Sequence, residues 1–213
     1  MYIILITVGK SKLRLYCESD FVTDLKHFEF IRQSKNMAWH KGEWLPLYCS
    51  QWYSPGVSQH PFDPYSFTHV LHGVVLFYLW HWLGLSHLGG FLAMFSVELT
   101  WELAENSERV IERYRQTSGT SEDYEGDSYQ NILGDLAACQ SGYILSLIFN
   151  AIGMAKLSII WYIVTEIVLL FYMRDCLTLT MVTLFFPNEK VSKWQQEGVK
   201  IARENEKNSN KKE

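Results

Sequence analysis

The chain has 213 residues, a formal net charge of -4 and a mean hydropathy of -0.06. That charge gives no basic surface for a nucleic acid, and Cys17, Cys49, Cys139 and Cys176 stand in no CxxC spacing, which excludes a finger-type zinc site. The near-zero hydropathy hides a split, with polar residues at 9–64 and 187–213 and most of the apolar mass at 65–186.

Met1–Val8 (MYIILITV) is apolar but far shorter than the ~20 residues a membrane helix needs. Lys10, Lys12 and Arg14 follow it, the wrong order for a signal peptide. It reads as a strand or as the remnant of an N-terminal span. Phe21, Leu25, Phe28 and Ile31 lie at helical spacing and predict a short amphipathic helix over Asp20–Ser34. Further on, Trp39, Trp44, Trp52 and Tyr53 alternate with Pro46, Pro55, Pro61 and Pro64. Residues 1–64 thus read as a polar, aromatic-rich interfacial segment. Cys17 and Cys49 can pair there only in an oxidising compartment. Asp63 or Ser66 can cap the helix that follows.

The first apolar span covers 66–85, with His69, His72 and His81 but no Lys, Arg, Asp or Glu. A Gly-containing break leads to the second span, 89–105, and a polar hairpin fills 106–126. The third span is 128–148. The fourth, 157–186, runs for 30 residues, or ~45 Å of helix against a ~30 Å hydrocarbon core. Arg174-Asp175 interrupts it, which predicts a bend or an extra short helix there. Pro187 ends it, and 188–213 reads as a charged tail whose last ten residues are disordered. The fold class expected is all-α: a polytopic membrane bundle of four main helices (65–187) with a short helix after Arg174. Lys and Arg number seven before residue 65, three in the hairpin and seven in the tail, against one, Lys156, in the two opposite loops. The positive-inside rule puts both termini and the hairpin in the cytoplasm.

Charged residues recur at helical spacing inside these spans. His69 and His72 are i,i+3; Glu98 and Glu102 are i,i+4; Asp127, Asn131 and Asp135 form an i,i+4,i+8 row. An ionised carboxylate in lipid costs at least ~2.5–3.5 kcal/mol, so these groups must face one another, a cation or water. The expected result is a polar pocket inside the bundle, near the 106–126 end. Three uses suit it. His69 and His72 can ligate a divalent metal with Glu98 and Glu102. Alternatively Glu98, Glu102 and Asp135 can do acid–base work while Arg113 holds a phosphate, with Asn106, Asp127 and Asn131 lining the pocket. Or the same groups only fix helix packing. His81 and His87 read as interfacial, and Glu105, Glu108 and Glu112 as a solvated face. Arg109 and Arg115 read as ordinary anchors, Glu166 and Arg174 as an ion pair across the bend, and Cys139 and Cys176 as small hydrophobes. Gly134 and Gly142 permit close helix contact. No P-loop, GxSxG, HExxH or GxGxxG motif is present.

The runs SQHPFDPYSFTHVLHG (58–73), ExxWExxENS (98–107), IxRYR (111–115), GDSYQNILGD (126–135) and RDCLTLT (174–180) together resemble an uncharacterised proteobacterial family of multi-pass inner-membrane proteins, one of the domain-of-unknown-function families. The order of His, Glu-rich helix, Arg and Asp-x-x-x-Asn is more loosely similar to the VanZ-like membrane proteins. The first resemblance implies a multi-pass inner-membrane location and supplies no activity. It also implies a full hydrophobic span at the N-terminus, where this chain has Met1–Val8, and Asn where Cys176 and Thr180 stand. With such an upstream span the 106–126 hairpin would be extracytoplasmic. Membrane lipids are the partners expected, with no nucleic acid. The leading expectation is a protein acting on or binding a lipid or polyprenyl-phosphate head group. The alternatives are a non-enzymatic membrane scaffold and a small transporter, for which no inverted repeat is visible.

Overall fold

The computed structural model of the chain describes residues 7–8, 11–12, 47–54, 57–117 and 124–209. Met1–Lys35 and Asn36–Glu213 form two separate units. In the first, β1 (Thr7–Val8) pairs antiparallel with β2 (Ser11–Lys12). The helix expected over Asp20–Ser34 lies outside the described residues, as does Cys17.

The second unit is helical. Its elements are α1 (Ser66–Trp82), α2 (His87–Glu105), α3 (Glu108–Thr117), α4 (Tyr129–Ala151), α5 (Ala155–Met173), α6 (Leu177–Phe185) and α7 (Glu189–Ser209). Asp63 caps α1: its Oδ1 accepts from the Tyr65 and Ser66 amides at 2.7 and 3.3 Å, and Ser66 Oγ accepts from the Asp63 amide at 3.1 Å. Ser86 and Ser128 cap α2 and α4 through Gly89 N and Asn131 N, both at 3.1 Å.

α1 and α4 form the central pair. A Cβ on Gly73 would strike the Cys139 carbonyl, and one on Gly142 would strike that of Val70, so the two backbones touch reciprocally. Gly134 serves a different contact, the Pro61 carbonyl of the loop before α1. Above the crossing, Phe77, Met94, Cys139 and Tyr143 form a core shared by α1, α2 and α4. A second core joins Trp52, Leu169, Met173, Cys176 and Val199. It buries Trp52 of the aromatic-rich segment and fastens α7 to the end of α5.

Three elements depart from the sequence reading. The segment after Asn106 contains a ten-residue helix, α3, rather than a plain hairpin; among its residues whose burial is described, only Ile111 and Tyr114 are buried. The tail is helical through Ser209, because Ser192, Gln195, Gly198 and Val199 give it a buried face. Glu166 and Arg174 do not pair. Arg174 ends α5 in the left-handed conformation (φ 56°), donates to the Trp194 carbonyl at 2.8 Å and stacks over the Trp194 ring. Glu166 caps α6 instead, accepting from Leu177 N at 2.9 Å and Thr178 N at 3.0 Å. The break expected at Arg174 is therefore real, and Arg174 turns outward onto α7 while Asp175 turns inward, 1% exposed.

Among the described residues two helices, α4 and α5, are long and apolar enough to cross a membrane. α1 has 17 residues, and α2 carries Glu98, Glu102 and Glu105.

Candidate functional site

α1 presents His69 and His72 to α2, and α2 presents Glu98 and Glu102 back, each pair separated by about one turn. Glu98 sits between the imidazoles. His69 Nδ1 donates to its Oε1 at 2.6 Å, and His72 Nδ1 donates to its Oε2 at 3.1 Å. The two rings lie 5.2 Å apart, nearly perpendicular, and Trp101 meets the edge of His72. Glu102 is 1% exposed. Its Oε1 comes within 3.2 Å of His69 Nδ1, yet neither of its oxygens has a hydrogen-bond partner, because that N–H is spent on Glu98. On the far side of the ring, Asp135 Oδ2 of α4 stands 3.7 Å from His69 Nε2. Three helices thus converge on one imidazole.

A second layer surrounds the turn from α3 into α4. Asn106 and Asp127 bond reciprocally, and Tyr124 donates its hydroxyl to Asp127 Oδ1 at 2.8 Å. Asn131 donates to the His60 carbonyl at 3.0 Å, and Ser128 to the Gln59 carbonyl at 2.7 Å, so the 58–63 loop is laced to the start of α4. Burial pushes the Asp127 carboxyl above its ordinary range, although hydrogen bonds from Ser58, Tyr124 and Asn106 oppose the shift. Asp63 is raised for the same first reason, against the amides of Ser58 and Tyr65.

These layers border a cavity of about 50 Å³. At ~10–15 Å³ per water it holds a few waters or one compact charged group. His69, His72, Glu105, Asp127, Asp135 and Asp175 contribute its polar lining. The expected residues His69, His72, Glu98, Glu102 and Asp135 therefore come together, with Asn106, Asp127 and Asn131 beside them. Arg113 does not join them: it donates to the Leu184 carbonyl at the end of α6, at 3.2 Å, and does not line the cavity. Glu105 is the reverse case. It lines the cavity and bonds to Tyr114 rather than belonging to a solvated face.

Sequence reasoning also passed over Asp175, Tyr114 and Tyr124. Glu105 carried a signal, since Glu98, Glu102 and Glu105 run i,i+4,i+7 on one helix face. Tyr114 stands i+3 from Ile111 on the buried face of α3. Asp175 had none, because an Arg-Asp pair in an apolar run looks like a solvated break.

A buried and a half-buried imidazole on one helix, buried carboxylates on α2 and α4, and a small acidic cavity beside them define a helical bundle with an internal polar site. The chain belongs to the family described as "Protein of unknown function (DUF2585)", which matches residues 35–197 and so contains every site residue named above. It is similar to a UPF0314 protein of Paracoccus denitrificans, 38% identical over 154 residues, or 71% of this chain and 77% of the relative. A UPF0314 protein of Brucella anthropi is 35% identical over 140 residues, 65% of this chain and 69% of its own. One of Agrobacterium fabrum is 37% identical over 146 residues, 67% and 70% of the respective chains. None of these three relatives carries a VanZ-like name. No solved structure matches the chain.

Proposed function

We propose that this chain is a multi-pass inner-membrane protein with α1, α2, α4 and α5 as its main spans, and that the polar pocket bordered by α1, α2, α4 and α6 binds or acts on the head group of a lipid or polyprenyl phosphate. The observation that carries the reading is an apolar exterior around a charged interior. On α5, Ile160, Ile163, Val164, Ile167, Val168 and Phe171 are all exposed, Phe171 at 83%. Leu88, Leu92, Val97 and Leu103 of α2 and Ile144 and Ile148 of α4 are exposed as well. Apolar patches of this extent favour lipid over water as the surroundings. Meanwhile Glu98, Glu102, Asp127, Asp135 and Asp175 are turned inward. Intramembrane ionisable groups facing a cavity are the common mark of a ligand or proton path. The pocket is acidic, so a phosphate enters it only with a cation, whether imidazolium or bound metal.

Glu98→Gln and Asp135→Asn variants, expressed in a strain lacking the gene, test the reading. Loss of complementation at normal membrane levels of folded protein supports it; full complementation by both ends it.

One observation favours the scaffold alternative. Both Glu98 oxygens are already satisfied by His69 and His72, and Asn106 and Asp127 satisfy each other. A scaffold predicts that the same substitutions lower folded yield and melting temperature together, with no separate loss of function.

A further inference from the structure

We propose that His69, His72, Glu98 and Glu102 form a binding site for a single first-row divalent transition-metal ion, with Asp135 orienting His69 from behind. The site stands apart from the head-group reading, since metal uptake is measured without any lipid substrate.

Three of the four donor atoms are already gathered, and the fourth, from Glu102, stands beside His69. One ring nitrogen each of His69 and His72 and one oxygen of Glu98 lie within 4.8 Å of one another. In a tetrahedral site with bonds of about 2.0–2.1 Å, ligand atoms stand about 3.3 Å apart. The His72–Glu98 and His69–Glu102 separations are 3.1 and 3.2 Å. The 2.6 Å His69–Glu98 hydrogen bond has to lengthen, as it does when the metal takes the place of the Nδ1 proton, and the Glu102 carboxylate, which stands with His69 and Glu105, has to swing towards His72 and Glu98.

Glu102 is the observation that points to a ligand. It is 1% exposed, aimed at His69 Nδ1, and both its oxygens lack a partner. A buried carboxylate in that state is strongly destabilising unless something cationic faces it. The Nδ1 proton of His69 cannot serve both Glu98 and Glu102. A divalent ion can, and its two positive charges balance the two carboxylates.

Asp135 is a second, independent observation. It stands against the other nitrogen of His69, at 3.7 Å from Nε2 to Oδ2, and is 4% exposed. Metal-binding imidazoles characteristically donate their remaining N–H to a carboxylate, which fixes the ring and raises its basicity. With metal on Nδ1 the Nε2–H faces Asp135, so tautomer and carboxylate agree. The cavity touches both His69 and His72 and gives the ion an entry path and room for bound water.

The donor set selects the class of ion. Two imidazole nitrogens with two carboxylate oxygens suit zinc, manganese or iron(II). Calcium and magnesium prefer all-oxygen shells.

The test uses the full chain in detergent, stripped with chelator and then dialysed against a small excess of zinc. Elemental analysis is expected to find about one zinc per chain, and zinc to raise the melting temperature. Glu102→Gln is the decisive variant, because Glu102 has no hydrogen bond to lose. It is expected to melt no lower than the wild type without metal, yet to lose the zinc-dependent rise. Asp135→Asn should weaken zinc affinity by about 10–100-fold. His87→Gln, at the far end of the bundle, should bind as the wild type does. A monodisperse, cooperatively melting wild type that takes up neither zinc, manganese nor iron(II) overturns the proposal. So does a Glu102→Gln protein that binds zinc as tightly as the wild type.

Discussion

Asn106 and Asp127 hold the α2 and α4 ends together through two opposed hydrogen bonds: Asn106 Nδ2 donates to Asp127 Oδ2 at 2.9 Å, and the Asp127 amide donates to Asn106 Oδ1 at 2.7 Å. The pair spans the whole α3 connection. Both residues are buried, at 3% and 8% exposure.

Replacing Asn106 with Leu should therefore cost more than the loss of a surface loop contact. It strands the Asp127 amide and one carboxylate oxygen without water, and each orphaned buried group costs about 1–3 kcal/mol. A total of about 3 kcal/mol is expected, read as a lower melting temperature in detergent. Asn106→Asp keeps the acceptor for the amide but sets two carboxylates face to face. Its deficit should shrink as the pH is lowered, whereas that of Asn106→Leu should not.

Stability should also depend on pH through Asp127 and Asp63. Burial raises both carboxyls above the ordinary 3.8. The folded chain then binds more protons than the unfolded chain between the ordinary and the raised pKa, so the slope of unfolding free energy against pH is negative there. Their contribution is fully present below the unfolded pKa and is lost as pH rises through the folded pKa. Melting temperature measured from acid towards neutral pH should fall in the wild type and fall less in Asp127→Asn. A steeper fall in the variant contradicts this assignment.

The long helices were legible because apolar runs with serine or aspartate caps leave few alternatives, and the break at Arg174 was legible because 30 apolar residues exceed what one bilayer needs. The convergence of His69 with Glu98, Glu102 and Asp135 followed from the cost of leaving charges in an apolar setting. α3 was hidden because its buried face shows in the sequence as little more than Ile111 and Tyr114. Glu105 was legible from its i,i+4,i+7 spacing with Glu98 and Glu102, whereas Asp175 was hidden because the sequence shows charge but not which way a turn of chain points it. Arg113 misled for the same reason. Nothing in its neighbours indicates that it reaches the Leu184 carbonyl instead of the pocket.

The α1–α4 crossing makes a sharper prediction than any polar contact. Gly73→Ala and Gly142→Ala each insert a methyl group into the other helix's backbone carbonyl, which has no rotamer to yield with. The helices must separate, and overpacking of this kind costs typically about 1–3 kcal/mol. Separation at Gly73 also shifts His69 and His72, about one turn away at most, relative to α4. Both variants should lower the melting temperature, and Gly73→Ala should in addition weaken zinc uptake.

Glu166 offers a way to disturb the cavity without touching its lining. Its two oxygens accept from Leu177 N and Thr178 N at the start of α6. Leu177, Thr180 and Met181 of that helix line the cavity opposite the histidines. Glu166→Ala leaves the first-turn amides uncapped, at a cost of about 1 kcal/mol, and removes a negative charge from the positive end of the helix. Glu166→Gln keeps one oxygen and should lose about half as much. Hydrogen exchange is the measurement that separates this from a general loss of stability. Faster exchange is expected at 177–181 in Glu166→Ala, with α1 and α4 protected as in the wild type. Uniformly faster exchange through α1 and α4 would mean that α6 is an integral part of the bundle's core and not a separable wall of the cavity.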